Sequence, residues 1–238
     1  MGLLCVTPVI APPRPGLVES WDHPAHLVIV NGAHATWQDI DGPWLMYAAE
    51  SGRNLGCPKS WNLGFRLAVE NRISHVAILS QGLLLEDGTS ALAAEVEAHP
   101  DVSWITGPWL CFHGVVWPVD VWARLDGFDE TLPIWADVDF VRRLHLAGEY
   151  ERGKRQARSV SLRATDMESV AVQAGVHPAV YETDKRRYAA KWGGEYGHEQ
   201  FTRPWDPTSA ADDAATPQPD GIISRLRFPR SPDRSGLR

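Results

Sequence analysis

The 238-residue sequence predicts an α/β fold, an open and mostly parallel sheet with helices on both faces. Three observations point to it. Short, continuously apolar runs recur at 3–9, 26–30 and 75–79, the pattern of strands covered on both faces rather than one. Each run ends in turn residues, at Thr7-Pro8, Asn31-Gly32 and Ser80-Gln81-Gly82. Stretches of helical length and spacing separate the later runs, and such alternation marks a sheet wound through crossover helices.

The elements follow in order. The run 3–9 reads as a buried strand, and the Pro-rich 11–15 after it as a rigid loop. The second strand, 26–30, stops at Asn31-Gly32. Residues 53–56 form a loop, and a helix is expected over 60–71, where Trp61, Phe65 and Ala68 share one face. The third strand is 75–79, followed by a helix over 89–99 with Thr89 in the N-cap position. Strands at 102–105 and 114–117 and a short helix over 118–125, closed by Gly127, come next. A helix over 136–147 stops at Gly148, and a last one over 184–191 ends at Trp192-Gly193-Gly194. Beyond about residue 204, Pro, Asp, Ala, Ser and Thr dominate. The expected organisation is therefore one domain over 1–203 and a flexible tail over 204–238 that ends in a basic stretch.

Composition excludes several classes. A net charge of -7 argues against a nucleic-acid-binding face. No apolar run approaches the roughly 20 residues of a membrane span, and the N-terminus makes a poor signal peptide. Cys5, Cys57 and Cys111 are widely spaced with no Cys-x-x-Cys pair, which disfavours zinc sites and disulfides and fits a reducing, cytoplasmic setting. Eleven tryptophans suit core packing, and some suit stacking on sugar rings. Open α/β sheets bind ligands at the carboxyl ends of their strands, so the three strand ends are expected to converge on one crevice.

Four stretches carry a family likeness in the right order, over roughly 3–194. They are Val6-Thr7-Pro8-Val9; Asn54-Leu55-Gly56 with Asn62-Leu63-Gly64; Gly127-Phe128-Asp129-Glu130 with Ala136-Asp137-Val138-Asp139, Arg142 and Gly148; and Tyr188 through Gly194. Together they resemble the inverting family 2 glycosyltransferases, particularly the rhamnosyltransferase-like branch. The resemblance implies a GT-A fold, Rossmann-like, and a nucleotide-diphosphate-sugar donor. The acceptor would be a hydroxyl of a glycan, a protein or a small molecule. It also implies that Asp137, matching the first Asp of the family's Glu-Asp-x-Asp block, is the catalytic base. An attacking hydroxyl needs such a carboxylate within hydrogen-bond reach. The same position also suits a plain helix cap.

The likeness has gaps. The family's Asp-x-Asp, which holds Mn²⁺ or Mg²⁺ against the diphosphate, falls on Ser80-Gln81-Gly82, which has no carboxylate. The Asp expected after the second strand is Asn31, the Glu before Asp137 is Ala136, and the family's later metal-binding His has no counterpart at 159–162. Two readings stay open: a transferase that works without metal, and a silent fold that binds nucleotide or glycan. For the donor the candidates are Thr7, Pro8, Asn31, Asn54, Lys59, Asn62, Ser80, Gln81 and Gly82. Arg53, Arg142 and Arg143 are further cations that can balance a diphosphate. For the acceptor they are His113, Trp117 and Trp135, each of which has a packing role as its alternative. Asp139 is expected to support Asp137 or to pair with Arg142.

Overall fold

The strands that the sequence marks as buried assemble into one sheet. The computed structural model describes residues 2–10, 18–31, 45–48, 55–83, 85, 87–99, 105–106, 114–156 and 177–209. Its strands are β1 (Leu3–Val9), β2 (His26–Val30), β3 (Leu45–Ala48), β4 (His75–Leu79), β5 (Ile105–Thr106) and β6 (Gly114–Pro118). They lie in the order β3-β2-β1-β4-β6-β5. The four strands from β3 to β4 are parallel, with Thr7 opposite Val28 and Cys5 opposite Ala77. β6 runs antiparallel to β4 and β5, giving the mixed edge common in such sheets.

Strand alternation sends successive side chains to opposite faces, and each face has its own apolar cluster. Leu4, Val6, Ile29, Ile78, Val115 and Trp117 point one way, towards α1 (Cys57–Glu70), α3 (Val119–Arg124), α4 (Ala136–Leu146) and α6 (His177–Trp192). Leu3, Cys5, Ala77, Leu79 and Val116 point the other way, where α2 (Gly88–Ala98) supplies Leu92 and Val96. Full burial of one Leu or Phe contributes about 1.5–3 kcal/mol, so these two layers supply most of the drive to fold.

Helix α1 shows how closely the layers approach. Its inner face is Trp61, Phe65 and Ala68, as the spacing predicts. A Cβ at Gly64 would lie 2.4 Å from Val6 Cγ2, so the helix reaches β1 because that position carries no side chain. The helix begins at Cys57, three residues before the expected start. Pro58 suits a first turn, where its missing N–H is no loss, and Gly56 enters at φ +78°.

Four elements were not expected: a 3-10 helix at Val18–Ser20, β3, α5 (Glu149–Gln156) and the first two turns of α6. The strand expected over 102–105 is described only at Ile105–Thr106. After α6 the chain folds back on the helix. The N–H groups of Gln200 and Phe201 both donate to the Trp192 carbonyl at 3.0 Å, and Trp205 N–H donates to the Lys191 carbonyl at 2.6 Å. Phe201 lies beneath Gly193, where a Cβ would come within 2.7 Å of its ring. No helix among the described residues is long and apolar enough to cross a membrane.

Candidate functional site

The carboxyl ends of the parallel strands meet as expected. Asn31 N–H donates to the Val9 carbonyl at 2.7 Å, and Ile10 N–H donates to Gln81 Oε1 at 2.9 Å, joining the ends of β2, β1 and β4. The start of α1 closes this end of the sheet. Asn31 Nδ2 donates to Ser60 Oγ at 2.9 Å, and Ser60 Oγ donates to the Gly56 carbonyl. Asn31 is 1% exposed, and among the described residues its Oδ1 has no hydrogen-bond donor. Lys59 stands exposed on the same first turn.

Asp137 faces this first turn from α4. Pro133 lies 3.8 Å from the position a Cβ would take at Gly56. The Asp137 charge is felt at Cys57, the exposed first residue of α1. The Asp137 carboxyl is half-buried, and its Oδ1 accepts the Val138 N–H at 2.8 Å. Desolvation lifts its pKa to about 6, against the opposing pull of backbone N–H groups. It thus sits at a helix start without being held fully ionised by it.

Other expected residues lie elsewhere. Thr7 is inside β1, its Oγ1 2.9 Å from His26 Nε2, in a buried pair. Burial also drives the His26 pKa down to about 3. Trp117 is 1% exposed and packs edge-on against Phe140 at 5.6 Å, with no face open to an acceptor. Trp135 is buried between Tyr181 and Tyr188 of α6, at 5.4 and 5.3 Å. Asn62 turns inward to the loop at 127–130, with Nδ2 donating to the Phe128 carbonyl and to Glu130 Oε1. Asn54, Arg53 and His113 lie outside the described residues.

The acidic block is held by a buried ionic network. Asp139 is 0% exposed; its Oδ2 accepts from Arg143 at 2.7 and 3.0 Å, and its Oδ1 accepts the Trp192 indole N–H at 2.9 Å. Lys191 Nζ lies 2.7 Å from Asp139 Oδ1 and 2.5 Å from Asp129 Oδ2. Asp139 therefore pairs with Arg143 and Lys191 instead of the expected Arg142, because one turn of helix and α6 bring those cations closer. Arg143 also donates to the carbonyls of Leu125 and Gly127. Arg142 donates to the Phe201 carbonyl at 3.1 Å and lies 4.0 Å from Glu199. Both arginines are thus engaged in holding the chain, not turned to the strand ends.

The sequence reading missed Asp184, a buried residue of α6. Its Oδ2 accepts the N–H groups of Ile134 at 2.6 Å and Trp135 at 3.2 Å, directly before α4. An acid among the polar residues of a helix looks solvated in a sequence, and only the tertiary contact reveals it.

A divalent cation at the end of β4 needs anionic oxygens. Among the described residues the side-chain donors there are the Ser80 hydroxyl and the Gln81 amide, whose oxygen already accepts from Ile10. Among the described residues no three His, Cys, Asp or Glu side chains gather as a metal site. These groups do not fit a Mn²⁺ or Mg²⁺ site.

No protein-family model matches the sequence, and no curated protein is similar to it in sequence. Solved structures do resemble it. TarS 1–349 of S. aureus in complex with UDP matches with a TM-score of 0.51 at 14% identity, over 78% of this chain and 64% of that one. A longer TarS structure gives a TM-score of 0.51 at 13% identity, over 82% of this chain and 40% of that one. The mannosyltransferase PcManGT of Pyrobaculum calidifontis, in complex with GDP-Man and Mn²⁺, gives 0.44 at 15% identity, over 66% of this chain and 54% of that one. The chain thus spans less than two thirds of the length of these structures. With its mostly parallel sheet and helices on both faces, it has a GT-A-like glycosyltransferase fold.

Proposed function

We propose that the chain is an inverting glycosyltransferase, similar to family 2 and its rhamnosyltransferase-like branch. It would move a sugar from a nucleotide-diphosphate sugar to an acceptor hydroxyl, with Asp137 as general base. The observation that carries this reading is the half-buried Asp137 carboxyl at the start of α4, beside the first residue of α1, where desolvation raises its pKa to about 6. A base of that strength is ionised near neutrality yet takes a proton better than an ordinary aspartate. The complex of TarS 1–349 with UDP supports a nucleotide-diphosphate donor. The free Cys5 and Cys57 thiols fit a reducing cytoplasm.

In the proposed reaction the acceptor oxygen bonds to the anomeric carbon while its proton passes to Asp137. The bond from that carbon to the diphosphate oxygen breaks on the opposite face. Its electron pair leaves with the nucleoside diphosphate, and the configuration inverts. Lys59 and the start of α1 are the groups we assign to the leaving charge, with the Gln81 amide and the backbone at Gly82. Pro8, Asn31 and Ser80 would border the nucleoside. This assignment makes the enzyme metal-independent.

The test is a thermal-shift screen of nucleotide diphosphates and their sugars, followed by transfer and donor-hydrolysis assays on each hit. Turnover that disappears in Asp137→Asn while donor binding persists is the expected result. Full activity in that variant removes Asp137 from the role. Binding without turnover across the panel replaces the transferase with a binding protein. Activity unchanged by EDTA is expected, and dependence on added Mn²⁺ overturns the metal-free part.

A further inference from the structure

Asp184 is a carboxylate in a dry place. It is 0% exposed, and burial raises its pKa despite two backbone donors on Oδ2. Among the described residues Oδ1 has no hydrogen bond and its nearest cation is the Arg187 guanidinium at 3.9 Å, while the Asp129 charge opposes its ionisation. A buried ion so incompletely satisfied is a net cost to folding. What it does hold is the turn that starts α4. Trp135, at the N-cap, offers no side-chain cap of its own. Asp184 takes the N–H groups at 134 and 135 from outside, and Asp137 takes the N–H at 138 from within. The two carboxylates grip the same turn from either side, with Ala136 between them.

We propose that Asp184 is a positioning residue: by anchoring the 134–135 backbone it fixes the direction in which Asp137 leaves α4. This deepens the reading of Asp137 as base and rests on it for its catalytic meaning. The anchor needs an acceptor oxygen rather than a charge, so an amide should serve. Without the anchor the turn loosens and water reaches the Asp137 carboxyl.

The test reads Asp137 with and without turnover. The Asp137 side-chain carbon is followed by NMR against pH in wild type, Asp184→Asn and Asp184→Ala. Cys57, the titratable group felt beside Asp137, is unchanged in all three. Wild type and Asp184→Asn are expected to titrate together near 6. Asp184→Ala is expected to titrate at least one unit lower. In the transfer assay Asp184→Ala should lose about 10–100-fold in kcat with donor KM within about twofold, and Asp184→Asn should retain most activity. A folded Asp184→Ala with wild-type titration and kcat overturns the proposal. If that variant does not fold, amide hydrogen exchange in wild type decides. Slow exchange at Ile134 and Trp135 supports the anchor, and solvent-like exchange refutes it. A wild type that consumes no donor, yet shows the titration shift in Asp184→Ala, defeats the transferase reading and leaves the positioning intact.

Discussion

Asn62 pairs with the Phe128 backbone in both directions. Its Nδ2 donates to the Phe128 carbonyl at 2.8 Å, and its Oδ1 accepts the Phe128 N–H at 2.9 Å. The same Oδ1 also accepts the Trp122 indole N–H at 3.0 Å. One amide thus fastens α1 to the loop that leads to the acidic block. Truncation in Asn62→Ala strands these buried groups and should cost about 2–4 kcal/mol. Chemical denaturation should show that loss. Donor affinity of the remaining folded protein should be unchanged, and a selective loss of donor binding at wild-type stability would reassign Asn62 to the ligand.

The approach of α1 to β1 makes a second prediction. Gly64→Ala drives a methyl group into Val6 and should destabilise by about 1–3 kcal/mol. Val6→Ala opens a cavity and should also destabilise on its own. Combined, the added and removed methyl groups compensate, so the double variant should be more stable than the sum of the singles predicts. Strict additivity in denaturant titrations would mean that the helix moves instead of the side chain.

The raised pKa of Asp137 would act on rate and stability with opposite signs if Asp137 is the base proposed above. Catalysis would then need the ionised form, so kcat should rise tenfold per pH unit below about 6 and level off above it. For stability, the folded state binds this proton more tightly than the unfolded state does. The resulting contribution is full below the ordinary pKa of 3.8 and is lost as pH rises through about 6. The ionised carboxylate therefore costs the fold up to about 3 kcal/mol at pH 8. Asp137→Asn should melt above wild type at pH 8 and not at pH 4. An equal melting temperature at both would contradict the buried-carboxyl picture.

Lys191 serves two carboxylates at once. Lys191→Met leaves Asp129 and Asp139 short of a cation and should cost roughly 3–5 kcal/mol near neutrality. Burial opposes the ionisation of Asp129, but hydrogen bonds from Lys191 and Thr131 outweigh it and hold its pKa below the usual range. A depressed carboxylate pKa stabilises above the unfolded value and stops doing so as pH falls through the folded one. The gap between wild type and variant should therefore narrow on acidification. Melting curves across the acid range check this, and a constant gap would detach Asp129 from the network.

The sheet was legible because burial on both faces writes itself as an unbroken apolar run, and His75–Leu79 matches its expected limits residue for residue. Strand β3 was not, since four residues at a sheet edge carry too little pattern. The adjacency of the strand ends followed from topology. The side-chain partners around the acidic block did not. Asn62 reads as a turn or ligand residue until Phe128, 66 positions away, is seen against it. Arg142 and Arg143 look alike in sequence, and only the direction each takes from α4 separates the Phe201 carbonyl from Asp139. The Tyr188–Gly194 stretch carried a likeness without a reason. Four of its members now have one: Lys191 and Trp192 bind the acidic block, and the two glycines let the chain turn back under α6.

The reach of α6 also dictates the order in which the molecule becomes competent. Its contacts to the acidic block span 49 to 62 positions of chain, from Trp135–Asp184 to Asp129–Lys191. A ribosome adds about 5–20 residues per second, so the sheet strands emerge seconds before their last clamp. Throughout that interval Asp129 and Asp139 lack Lys191, and the turn at 134–135 lacks Asp184. A nascent chain can thus assemble its sheet well before the turn that carries Asp137 is anchored.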